Sequence, residues 1–120
     1  MKIVVSANGP NLEALVHPRF GVAPYFLIVD IKTLEFEVVP NQSSQQAPQG
    51  AGIQAALLVA SQQPVVVLTG HCGPRAFRSL QAAGISVIVG VEGSVRDAVQ
   101  DLRAGKLMPS RAPNVTCHWK

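Results

Sequence analysis

The segments Val65-Val66-Val67-Leu68-Thr69 and Ile85-Ser86-Val87-Ile88-Val89 leave this chain few ways to fold. Each reads as a short strand covered on both faces, as in the middle of a parallel sheet. Each is followed by a glycine-bearing turn and a helical repeat. Gly73-Pro74 opens the first helix, with proline at the first helical position and Ala76, Phe77 and Leu80 as its inward stripe. Ser94 caps the second, with Asp97 three residues on in the place usually taken by Glu, and Val95, Ala98, Val99 and Leu102 face inward. Gly84 and Gly105 end the two helices. Strand, helix and parallel strand in succession impose right-handed crossovers.

The rest of the chain extends this unit. Lys2 to Ala7 is a strand closed by Asn8-Gly9-Pro10. Residues 8–24 read as a long loop with room for one helical turn. Tyr25 to Asp30 is a strand, Lys32-Thr33 the turn, and Leu34-Glu35-Phe36-Glu37-Val38 a second strand with one wet face. Residues 40–50 are polar and nearly uncharged, which is loop composition. Ile53, Ala56, Leu57 and Ala60 then follow helical spacing. The predicted order is β-β-β-α-β-α-β-α: a mixed five-stranded α/β sheet with helices on both faces. Strands are expected near 2–7, 25–30, 34–39, 65–69 and 85–89, and helices near 51–62, 74–83 and 94–104. Residues 1–105 form one expected domain and 106–120 a tail.

Composition excludes several classes of function. With 120 residues, 48% hydrophobic and 14% charged, the chain is too apolar for disorder and long enough for a core without disulfides. No apolar run approaches the roughly 18 residues of a membrane span, and the N-terminus lacks the pattern of a signal peptide. The expectation is a cytoplasmic protein with no membrane association. The net charge of +3 is modest, no basic run exists, and aromatics are 5% of the chain, which disfavours nucleic acid as a partner. From His71 onward seven Lys or Arg face three acids, a balance that suits a small anion.

Chain direction places a site. If the first strand runs up, the first, third, fourth and fifth strands end at one edge, and all three helices begin there. Helix starts present free N–H groups and positive dipole ends. The approaches carry Gly50 and Gly52, Gly70 and Gly73 around His71-Cys72, and Gly93. The loop bearing His17, Arg19, Phe20 and Gly21 leaves the first strand at the same edge. Open α/β sheets bind ligands there, and converging helix starts suit an anion. None of these segments is a P-loop or a dinucleotide fingerprint.

The segments His17-Pro18-Arg19-Phe20-Gly21-Val22-Ala23-Pro24-Tyr25-Phe26, Gly50-Ala51-Gly52, Gly70-His71-Cys72-Gly73-Pro74-Arg75-Ala76-Phe77 and Ala83-Gly84-Ile85 together resemble the dinitrogenase iron–molybdenum cofactor biosynthesis family, over nearly the whole chain up to about Gly105. The resemblance implies a ribonuclease H-like fold and a non-catalytic carrier of an anionic molybdenum–sulfide cluster. That cargo is a molybdenum–copper sulfide or an iron–molybdenum cofactor precursor, and its partner a protein that delivers or receives it. The nitrogenase-linked branch tends to place a histidine directly before Phe-Gly in the first loop. Arg19 stands there in this chain and His17 two positions earlier, so that histidine's ligand role does not transfer position for position.

The candidate cofactor-binding residues are therefore Arg19, Phe20, Gly21, Gly50, Gly52, Gly70, His71, Cys72, Gly73 and Gly93, with Cys72, His71 and His17 as candidate metal ligands. Cys72 has two readings. It is a thiolate stabilised by the helix dipole on a soft metal, or a neutral apolar contact. The competing function is a phosphate- or nucleotide-binding regulatory module, which the same helix starts serve. A nuclease needs clustered carboxylates to hold metal ions, and neither Lys2–Ala7 nor Val65–Thr69 carries one. Thiol redox chemistry lacks a resolving cysteine near Cys72 in sequence.

Overall fold

The computed structural model describes residues 2–41 and 51–109. Gly50 and most of the polar loop expected at 40–50 lie outside the described residues, as does the tail from Ser110 on. The elements are β1 (Lys2–Ala7), β2 (Tyr25–Asp30), β3 (Phe36–Pro40), α1 (Ala51–Ala60), β4 (Val66–Leu68), α2 (Pro74–Ala82), β5 (Ser86–Ile88) and α3 (Val95–Arg103), with a 3-10 turn at Phe20–Val22. The order βββαβαβα is as expected from sequence.

The five strands form one sheet in the order β3-β2-β1-β4-β5. β1 pairs antiparallel with β2, and β2 with β3, while β4 runs parallel to β1 and β5 parallel to β4. Ala7 pairs with Tyr25 and Tyr25 with Pro40, so the end of β1, the start of β2 and the end of β3 share one edge. β4 and β5 end there too. This is the mixed sheet of the ribonuclease H-like type.

Strand alternation divides the core in two. Val4, Phe26, Ile28, Val67 and Val87 face α1 and α2. Ile3, Val5, Leu27, Val29, Leu68 and Ile88 face α3. The stripe expected on the first helix is rotated. Its buried residues are Ala55, Ala56 and Val59, and Leu57 is 59% exposed. The third strand begins two residues later than expected because Leu34 takes a positive φ of 64° and belongs to the turn. That turn is built on Asp30, whose carboxylate accepts from the Lys32 and Thr33 amides. β3 is an edge strand with both faces largely exposed, rather than a strand with one wet face.

The second and third helices end and begin as their sequence requires. Gly84 follows α2 with φ +80°, the left-handed conformation that carries the chain off a helix. Ser94 caps α3 by accepting from the Asp97 amide at 3.1 Å.

Candidate functional site

The loop after β1 is pinned to the sheet edge by backbone bonds and by a buried hydroxyl pair. His17 N–H donates to the Ser6 carbonyl at 2.9 Å. The Ser6 hydroxyl donates back to the His17 carbonyl at 3.0 Å, which leaves Thr69 as donor in the 2.8 Å contact between the Ser6 and Thr69 hydroxyls. Both hydroxyls are fully buried, at the ends of the adjacent strands β1 and β4. Arg19 and His71 then pair backbone to backbone in parallel, with Phe20 N–H donating to the His71 carbonyl at 3.0 Å. The sequence-predicted partners on the two loops are thus brought together.

Gly70 makes this crossing possible. A Cβ on Gly70 would lie 2.7 Å from both Cα and O of Pro18. The space that glycine leaves is filled by the protein's own loop, not kept for a ligand. Phe20 likewise serves packing. It is 1% exposed, and its ring centroid lies 5.2 Å from that of Phe26. Its burial fixes the turn that places Arg19 and Gly21.

The three helix starts are not equivalent. α1 and α2 begin side by side, with Gly52 facing Ala76: a Cβ on Gly52 would meet that of Ala76 at 3.5 Å. At the start of α2, Gly73 is the N-cap in extended conformation, and its carbonyl accepts from Phe77 at 2.9 Å. Pro74 has no N–H, and the Arg75 and Ala76 amides donate to no protein group among the described residues. The start of α3 is closed. Val95 N–H donates to the Ala14 carbonyl and Arg96 N–H to that of Leu12, both at 2.9 Å, and the Asp97 amide is taken by Ser94. Gly93 sits at this closed start, where its carbonyl accepts from Val16 N–H. The convergence expected of three helix starts is therefore one of two, on the α1/α2 face.

The three candidate ligands fare differently. Cys72 is 1% exposed within the core under α1 and α2, and burial pushes its thiol up to about 12. Its Sγ sits 3.7 Å from the Gly73 carbonyl. Without a bound metal, burial of this kind favours the protonated thiol. His17 is half-buried. Its Nδ1 accepts from Arg19 N–H at 3.0 Å and also lies 2.9 Å from the Arg19 carbonyl. Only its Nε2 is left for another partner. His71 is half-buried and linked to Arg19 through the backbone bridge. Among the described residues no three His, Cys, Asp or Glu side chains gather into a metal-holding group.

Two measurements follow from these environments. In a Cys117→Ser background Cys72 is the sole thiol, and native protein at pH 8 is expected to leave an aromatic disulfide reagent unreacted until denaturant is added. Rapid reaction of the native protein would refute the buried, neutral thiol. For His17, burial lowers the pKa from the ordinary 6.5, the Arg19 backbone bond offsets part of this, and the Arg19 charge adds to it. The unfolded chain then takes up a proton before the folded one as pH falls below 6.5. Stability is expected to decline through that range and to level off once folded His17 is protonated. Urea midpoints from pH 8 to pH 5 should fall further for wild type than for His17→Gln; parallel curves would count against it.

Sequence reading missed three contributors. Ser6 and Thr69 look like ordinary strand-end residues until β1 and β4 are paired. Asn41 was assigned to the polar loop. It is 3% exposed, with Nδ2 donating to the Ala23 carbonyl at 2.8 Å and to that of Gly21 at 3.3 Å. Only the generally turn-forming character of asparagine marked the position.

A family model described as dinitrogenase iron-molybdenum cofactor matches residues 1–105. The chain belongs to the dinitrogenase iron–molybdenum cofactor family. Among solved structures it is similar to the apo form of the orange protein from Desulfovibrio gigas, with 46% identity and a TM-score of 0.91, over 95% of this chain and 96% of that one. The PH0822 structure is 27% identical with a TM-score of 0.75, over 92% and 97% of the two chains. MJ0580, an uncharacterized protein of Methanocaldococcus jannaschii, is 26% identical over 110 residues, 89% of each chain. The part matched by the iron–molybdenum cofactor family ends just beyond α3 and includes the whole sheet edge built above. No helix among the described residues is long and apolar enough to cross a membrane.

Proposed function

We propose that the protein is a non-catalytic carrier of an anionic molybdenum–sulfide cluster, with or without copper, held at the edge where α1 and α2 begin. The observation that carries this reading is the sign of the charge there. The segments that build the edge on this face, 17–24, 51–60 and 69–79, contain no Asp or Glu but include Arg19, Arg75 and Arg78. Two amides at the start of α2 that have no partner among the described residues add N–H donors aligned with the helix dipole. A sulfide-coated cluster needs positive potential, N–H donors and soft contact rather than many protein ligands. That donor set fits cargo held by charge and amides. It does not call on Cys72, whose side chain is 1% exposed within the core. Membership of the iron–molybdenum cofactor family supports a molybdenum-related cofactor in general as the cargo. Residues 1–105 act as the carrier domain, working in the cytoplasm with a protein that supplies or receives the cluster.

The test is anaerobic reconstitution with tetrathiomolybdate, with and without Cu(I), followed by desalting, visible spectroscopy and metal analysis. Wild-type protein is expected to retain molybdenum and gain visible absorption. Arg19→Ala is expected to weaken retention by about tenfold to a hundredfold, the scale of a hydrogen bond to a charged group. A colourless, metal-free wild type ends the carrier reading. Binding of inorganic phosphate or nucleotide at this edge instead would favour a regulatory module.

A further inference from the structure

We propose that Asn41 is a positioning residue that sets the Arg19–Ala23 turn against the starts of α1 and α2, so that cargo retention depends on it. The inference rests on the carrier reading for its functional half. Asn41 follows β3, at the far side of the sheet from β4 and β5, yet its side-chain amide reaches the turn at Gly21 and Ala23. Nδ2 donates to the Ala23 and Gly21 carbonyls, and the backbone N–H donates to the Pro24 carbonyl at 2.9 Å. The side chain is 3% exposed, and an amide buried to that degree is ordinarily committed to its partners. The opposite end of the turn is tied to the other half of the sheet by Phe20 N–H on the His71 carbonyl. The turn is thus strung between β3 and β4, with Phe20 buried beneath it and α1 packed against it. Arg19 is the residue at its start, directly before Phe20. Removing the Asn41 amide releases the β3 side, leaves the Gly21 and Ala23 carbonyls without their donor, and lets the turn shift along α1.

Asn41→Ala tests this against Val99→Ala, a core variant in α3 on the opposite sheet face. The first arm is amide hydrogen exchange of the apo protein. Phe20 N–H is expected to lose about tenfold in protection in Asn41→Ala beyond the change seen at Val4 and Val67, and not in Val99→Ala. The second arm is retention of tetrathiomolybdate by full-length protein. Asn41→Ala is expected to bind about tenfold more weakly than wild type, whereas Val99→Ala binds as wild type despite a lower Tm. Unchanged relative protection at Phe20 overturns the hold of Asn41 on the turn. Lost protection with unchanged retention overturns its part in the site, and so does an equal loss of retention in Val99→Ala. Wild-type protein that takes up no tetrathiomolybdate overturns the carrier function, and the exchange arm alone then decides whether Asn41 holds the turn.

Discussion

Phe20→Ala is expected to lower stability by about 3–5 kcal/mol, in the range for removing a fully buried phenylalanine. For a domain of this size that corresponds to a fall in Tm of roughly 15 °C. The ring packs on Phe26 and belongs to the same buried cluster as Ala23, Ala55, Ala56, Cys72 and Ala76, several of them small residues whose backbones are already fixed in helices. Such a site cannot collapse readily to fill the void, so the upper part of the range applies. Urea denaturation and thermal melts measure the change. A loss under about 1 kcal/mol would mean that the turn carrying Arg19 is not anchored by this ring. Because the ring holds the turn, cargo retention should fall along with stability, whereas a core substitution under α3 should affect stability alone.

Gly70→Val comes next in size. The added side chain would begin 2.7 Å from the Pro18 Cα and carbonyl oxygen, and backbone atoms have no rotamer to yield. The loop must lift or β4 must shift. Either movement strains the Arg19–His71 bridge and the 2.7 Å bond from Gly90 N–H to the Gly70 carbonyl. The expected loss is about 3 kcal/mol or more, at the upper end for overpacking. Pro18→Gly in the same chain is expected to recover little, since the clash is with main-chain atoms. Wild-type stability in Gly70→Val would show that the loop sits higher over β4 than described. Phe20 and Gly70 are far apart in sequence and act on the same turn, so the two changes should not add independently.

The fold was legible because most of its elements announce themselves locally. Pro74 and Gly84 bracket one helix, Ser94 and Gly105 another, and the continuous apolar strands could only lie inside the sheet. α1 was legible as a helix but not as a face. It contains no charged residue, so apolar side chains run nearly all the way round, and nothing in the pattern sets Leu57 apart from Val59. The edge strand was misjudged at its start because a leucine in the left-handed region has no sequence signature. For the site, chain direction alone placed Arg19, His71 and the start of α2 together. What it could not supply was the use of backbone groups by other backbone groups. That Gly70 makes room for Pro18, and that Leu12 and Ala14 occupy the start of α3, depends on contacts between distant segments. Asn41 was hidden for a related reason: a buried amide and a solvated one read alike within a polar stretch.

The closed start of α3 also removes one anion position and leaves the shared α1/α2 edge. In the 11–16 segment, the Leu12 and Ala14 carbonyls take the very positions that an oxyanion or sulfide would take, as a permanent internal competitor. That segment is further tied down by Glu13 and Arg96, paired at 2.8 Å. Titration of the protein with a small anion should therefore saturate at a single equivalent per polypeptide, without the second, weaker phase that three open helix starts would produce.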